Sequence, residues 1–163
     1  MNKKSSAKKK IITALCVTGG ILLLIASFFL RDLLLRAGVV EYDSREVIQV
    51  KNKYSASLDA IVAEGKEKDF VITSKHGGLF EKSVITADGD SKPVYERLKS
   101  SVDVLCHSYC YTITSEKGVV TITFNQSGTK KLIYSEAKPE KKSEKDILSD
   151  LKENWYYYEE VKE

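Results

Sequence analysis

Three cysteines and two histidines are all that this 163-residue chain offers to soft-metal or nucleophile chemistry. A structural zinc site takes four nitrogen or sulfur ligands, usually in paired motifs. CHSYC brings Cys106, His107 and Cys110 together, His76 is the remaining histidine, and there is no second pair. No metal is therefore expected. Thioredoxin-like exchange uses Cys-x-x-Cys, whereas the spacing here is Cys-x-x-x-Cys. Phosphate-binding glycine patterns are also missing, because Gly77-Gly78 in SKHGGLF has neither GxGxxG nor GxxxxGK around it. Asp88 and Asp90 lack the spacing and closing glutamate of a calcium loop. His76 could act as a base only with a nucleophile that the sequence does not supply. The chain is read as a non-enzyme without a cofactor.

Acidic residues are absent from the first 31 positions. Lys3, Lys4, Lys8, Lys9 and Lys10 precede residues 11–30, which carry no charge. Twenty residues at 1.5 Å per residue span roughly 30 Å, the thickness of a hydrocarbon core. A cleaved signal would need a small-residue site, but the run closes on Ser27-Phe28-Phe29-Leu30. Leu15 before Cys16 also does not fit a lipobox. The expectation is an uncleaved single-pass anchor in the cell membrane, with its N-terminus in the cytoplasm and the rest outside. Lys8, Lys9, Lys10, Arg31 and Arg36 would then meet headgroups at the two interfaces. Five of the 26 basic residues precede residue 11, so the remainder sets 21 against all 23 acidic residues, a net of −2. Nucleic acid is thereby excluded as a partner.

The expected layout is a basic segment at 1–10, an anchor at 11–30 with its helix reaching 36, and an α+β domain over 37–163. Val47, Val50, Tyr54, Leu58, Ile61 and Val62 recur at helical spacing and predict one helix over 44–68, capped by Ser44 and stopped at Gly65. Strands are expected at 69–74 and 82–86. A second helix carries Val94, Leu98, Val102, Leu105 and Cys106 on one face, with Ser91 as N-cap and Pro93 in the first turn. From residue 109 the period falls to two. Turns at Glu116-Lys117-Gly118 and Asn125-Gln126-Ser127-Gly128 then predict a three-stranded antiparallel meander over 109–136. A charged linker follows at 137–145, then a short helical turn at Ile147, Leu148 and Leu151, then a closing strand in WYYYEEV. The fold class is thus two helices packed on an antiparallel sheet.

Two groups of residues stand out as sites. Outside the cytoplasm Cys106 and Cys110 favour a disulfide; buried thiols or a metal site with His107 are the alternatives. Alternation places Trp155 and Tyr157 on one strand face and Tyr156 and Tyr158 on the other. These rings either complete the core or form a binding surface for an envelope protein or glycan. Asn125-Gln126-Ser127 matches a glycosylation acceptor, although a turn role explains the asparagine equally.

An apolar N-terminal helix followed by a small α+β domain with a meander resembles the layout of pilin-like proteins. The resemblance covers architecture only: the prepilin-type Gly-Phe-Thr-Leu-x-Glu is absent and no glutamate lies within the apolar run. It implies an assembly subunit whose anchor helices pack together, with Gly19 and Gly20 at the contact. The first expectation from the residues is a membrane-anchored binding or accessory module of the cell envelope, contacting the bilayer through residues 11–30. A thiol or metal protein centred on Cys106, His107 and Cys110 is the third.

Overall fold

A computed structural model describes residues 3–36, 42–75, 84–107 and 110–161. The chain divides into two compact units, Met1–Leu34 and Leu35–Glu163.

The first unit is built on α1 (Lys3–Arg36). Among the described residues no helix is long and apolar enough to cross a membrane. Thr18, Gly19, Gly20 and Ser27 dilute the apolar character of α1. The single-pass anchor, the cell-membrane location and the inside–outside assignment drawn from it are therefore withdrawn. Arg31 is exposed, while the side chains of Lys8, Lys9, Lys10 and Arg36 lie outside the described residues.

The second unit places α2 (Ser44–Lys53), α3 (Ser55–Glu67) and α4 (Ser91–His107) on a seven-stranded antiparallel sheet. Its strands are β1 (Phe70–Lys75), β2 (Val84–Thr86), β3 (Thr112–Glu116), β4 (Val119–Thr123), β5 (Lys130–Tyr134), β6 (Ile147–Asp150) and β7 (Trp155–Glu159), in the order β2-β1-β3-β4-β5-β7-β6. The α+β class and the meander β3-β4-β5 stand; the membrane helix in that description does not.

Alternation sends one side chain in two toward the helices. Register aligns Ile72, Ile113, Ile122, Leu132 and Tyr157 in one inward row across five strands. Phe70, Ser115, Val120, Tyr134 and Trp155 form the next. Above them lie Val47 and Val50 of α2, Leu58, Ile61 and Val62 of α3, and Val94, Leu98, Val102 and Leu105 of α4, all buried. Each fully buried aliphatic chain contributes about 1.5–3 kcal/mol, so these rows and helix stripes supply most of the driving force. α4 packs on β1, α3 on β3 and β4, and α2 on β5 and β7.

Three local expectations change. The helix over 44–68 is two helices, broken at Tyr54 (φ −122°, ψ 30°). Periodicity continues through the break because both halves bury the same stripe. The N-cap is Asp43, one residue before Ser44, in a capping box with Glu46: Asp43 Oδ1 accepts from Arg45 N–H at 2.6 Å and Glu46 Oε2 from Asp43 N–H at 3.0 Å. The predicted helical turn at 147–151 is strand β6, because Leu148 and Ser149 pair with Tyr158 and Tyr157 of the long aromatic strand.

Candidate functional site

α4 packs on β1, and β3 follows it in the chain. Cys110 N–H donates to Leu105 O at 3.3 Å, and Tyr111 O accepts from Ser74 N–H at 2.8 Å, joining the residues before β3 to β1. Cys106 and Cys110 are both buried and both unbridged. The expected disulfide is thereby corrected. With the membrane location withdrawn, the oxidising compartment invoked for it also has no support. The Cys110 thiol and then the Ser74 hydroxyl lower the pKa of Cys106 against its own burial, whereas burial drives that of Cys110 well upward. Ser74 Oγ is itself buried and has no hydrogen-bond partner in regular geometry. Among the described residues no group of three or more metal-ligating side chains is assembled. The His107 side chain, His76 and Gly77-Gly78 lie outside the described residues.

Trp155, Tyr156, Tyr157 and Tyr158 are all buried. Trp155 stacks edge-on with Tyr134 at 5.6 Å between centroids. Tyr157 faces the start of α2 and donates its hydroxyl to Glu159 Oε2 at 2.5 Å; burial and that carboxylate push its pKa up. Tyr156 and Tyr158 point the other way. The connection between β5 and β6 must pass β7, which lies between them, and its charged residues do so as a strap. Tyr158 Oη donates to Asp146 Oδ2 at 2.5 Å, and Lys142 N–H donates to Tyr158 Oη at 3.4 Å. Asp146 also accepts from Ser143 N–H at 3.0 Å and Val161 N–H at 3.2 Å. The expected solvated linker at 137–145 thus has one fixed end.

Asp146 is buried, and its carboxylate is held by these three donors. The Tyr158 hydroxyl, followed by the Ser143, Val161 and Lys142 amides, lowers its pKa below the ordinary 3.8. A group depressed in the folded state stabilises fully above its unfolded pKa and loses that contribution as pH falls through the folded one. Asp146→Asn should therefore flatten the acid limb of the stability curve, with Tyr158→Phe intermediate. Urea unfolding between about pH 5 and pH 2.5 measures this. Equal acid limbs for wild type and Asp146→Asn would count against the latch.

The sheet face turned away from the helices is the least conventional surface. Thr86, Thr73, Thr112 and Thr123 align across β2, β1, β3 and β4, and the row continues through Lys131 to Tyr158. Beside it Val71, Thr114 and Thr121 align and continue to Ile133 and Tyr156. Alternation also puts Val84 and Val119 on this face. Six threonines and three valines thus cover its first four strands, with Val71 53% and Val84 59% exposed. Lys75 and Glu116 stand at its margins, so the patch has no charge within it, on a chain that is 30% charged. The strap bounds the patch at β7, where burial and the nearby Lys142 lower the pKa of Lys131. The separate β-propensities of these residues were legible in sequence. Their convergence depends on β1 and β2 joining the meander's edge, which no local pattern specifies.

Asn125 is buried and serves the β4–β5 turn: its Nδ2 donates to Ser127 Oγ at 2.7 Å and Thr129 Oγ1 at 2.6 Å, and its Oδ1 accepts from Lys130 N–H at 3.1 Å. An amide engaged in this way cannot also carry a glycan. Searches of protein-family models, curated proteins and solved structures found no match to this chain.

Proposed function

We propose that the second unit is a binding or accessory module that recognises a protein partner through the open sheet face of β2, β1, β3 and β4. The observation that carries this reading is the uncharged, β-branched patch on an otherwise highly charged chain. Flat rows of threonine and valine offer methyl groups for packing and hydroxyls that lose little on desolvation when paired. Such a surface fits a partner face that is itself flat and uncharged, and it disfavours a highly charged one.

The test uses the full chain in its own cells with a photo-crosslinking residue at Thr112. A discrete heterologous adduct is expected, and the same probe at exposed Asp59 on α3 should give none. The purified partner should then bind wild type and lose binding to Thr73→Lys/Thr121→Lys. Those substitutions lie on different strands and should shift stability by no more than about 0.5 kcal/mol each. Absence of an adduct at Thr112, or undiminished binding by the double variant, would overturn the reading. An adduct of two copies of this chain would replace it with self-assembly.

A further inference from the structure

We infer that residues 136–146, the strap between β5 and β6, are a displaceable cover over an aromatic extension of the open sheet face, and that the partner docks on Tyr156 and Tyr158 once the strap lifts. The inference rests on the reading of that face as a protein-binding surface. The two outward rows do not stop at β4: they run on through Lys131 and Ile133 to Tyr158 and Tyr156. Those two rings are 4% and 8% exposed, although they point away from the helices. Topology supplies the cover. β5 ends at Tyr134 opposite Trp155 and β6 begins at Ile147 opposite Glu159, so the connection must travel the length of β7. It does so on the outward side, where Tyr158 Oη meets Asp146 Oδ2 and Lys142 N–H.

Area calls for the extension. Strand spacing and rise give the four open strands a footprint of roughly 320 Å², well short of the about 800 Å² that a stable interface covers on each partner. Adding β5, β7 and β6 nearly doubles it, to roughly 570 Å², and contributes two tyrosines, a residue type enriched among interface anchors. The strap is built to lift. The chain from Tyr134 to Ile147 can reach roughly 43 Å when extended, whereas the path along β7 and across two strand spacings is roughly 17 Å. Seven of the ten residues in Glu136–Lys145 are charged, and all ten except half-buried Pro139 are exposed. The strap therefore brings no large apolar side chain to the sheet. Its firm tie is at one end, where Asp146 accepts from Tyr158 Oη, Ser143 N–H and Val161 N–H. The Lys142–Glu160 and Lys66–Glu136 pairs are largely exposed and contribute little. Lifting thus exchanges one carboxylate latch for contact with the partner.

The experiment follows variants of the full chain by amide exchange in the free protein and by affinity for the partner captured at Thr112. Tyr158→Phe keeps the ring and removes its bond to the latch. The Ser143 and Val161 amides should then exchange about tenfold faster, since a hydrogen bond to a charged group is lost. The Ile122 and Leu132 amides of the meander should stay unchanged. The same variant should bind the partner several-fold more tightly, because less binding energy goes to lifting the strap. Tyr156→Ala should bind about tenfold more weakly, as loss of an anchor. Asp146→Asn leaves both rings in place and should reproduce the effects of Tyr158→Phe, which keeps the test valid even if Tyr156→Ala fails to fold. Strap amides that exchange only together with the meander, or wild-type affinity in Tyr158→Phe and Asp146→Asn, would overturn the cover. Failure of the face reading shows separately, as undiminished binding by Thr73→Lys/Thr121→Lys. Without a partner adduct the docking half falls with the face reading, and the exchange rates still decide whether the strap lifts.

Discussion

Gly65→Ala is expected to destabilise the second unit by about 1–3 kcal/mol, and Gly65→Val by more. An added Cβ would lie 2.6 Å from Val120 Cγ2, 2.9 Å from Ser115 Oγ and 3.2 Å from Ser115 Cβ. Neither neighbour can swing aside. Val120 is fully buried in the second inward row, and Ser115 Oγ donates to Gly65 O at 2.7 Å. The helix must lift, which strains or breaks a buried hydrogen bond worth about 1 kcal/mol. Alanine's helix propensity favours the variant by up to about 1 kcal/mol, so the sign of the result decides between local preference and packing. Urea unfolding followed by Trp155 fluorescence, the sole tryptophan, gives the number. Val120→Ala in the Gly65→Ala background should recover part of the clash. An alanine variant as stable as wild type would mean that α3 does not approach the sheet so closely.

Gly65 also shows where sequence reasoning stops. A glycine near the end of a periodic run reads as a helix stop, yet α3 continues to Glu67. The residue is small because a helix crosses a sheet there, and that crossing is a long-range fact. Segments whose period is set by neighbours in sequence were legible: the α4 stripe, β3, β4, β5, the final strand and the turns at Gly118 and Gly128. Their signals reside in alternation and in positive φ at those two glycines. Strand β6 was not legible, since ILSD is too short to show a period and owes its state to pairing with β7. The surroundings of the thiols were half legible: CHSYC marked the helix-to-strand join, but Ser74, whose N–H meets Tyr111 O, comes from a strand 32 residues before Cys106 in the chain. The uncharged face follows the same rule, because six threonines become one surface only through the order β2-β1-β3-β4.

Trp155→Ala should be the most damaging single truncation, at about 3–5 kcal/mol. The indole is 3% exposed, closes the second inward row and meets Tyr134 edge-on. Against a total stability of about 5–15 kcal/mol for a domain this size, the loss leaves little margin. The hairpin that Trp155 ends adds to the effect. Lys152, Glu153 and Asn154 all hold positive φ, at 70°, 54° and 64°, a conformation that disfavours residues with a Cβ by roughly 1–2 kcal/mol each. What holds the turn is the Leu151 N–H to Trp155 O bond at 2.8 Å, Lys51 Nζ on Glu153 at 2.7 Å, and the buried indole. Removing the ring removes the largest of these, so β6 and the turn should detach before the meander does. Because the variant lacks tryptophan, unfolding is followed by far-ultraviolet circular dichroism, and amide exchange locates the opening. Trp155→Phe should recover most of the loss. Asn154→Gly in the Trp155→Ala background should recover part of it by relieving the turn. A Trp155→Ala protein with a wild-type unfolding midpoint would show that the ring is not part of the core, and would return the aromatic strand to the status of a binding surface.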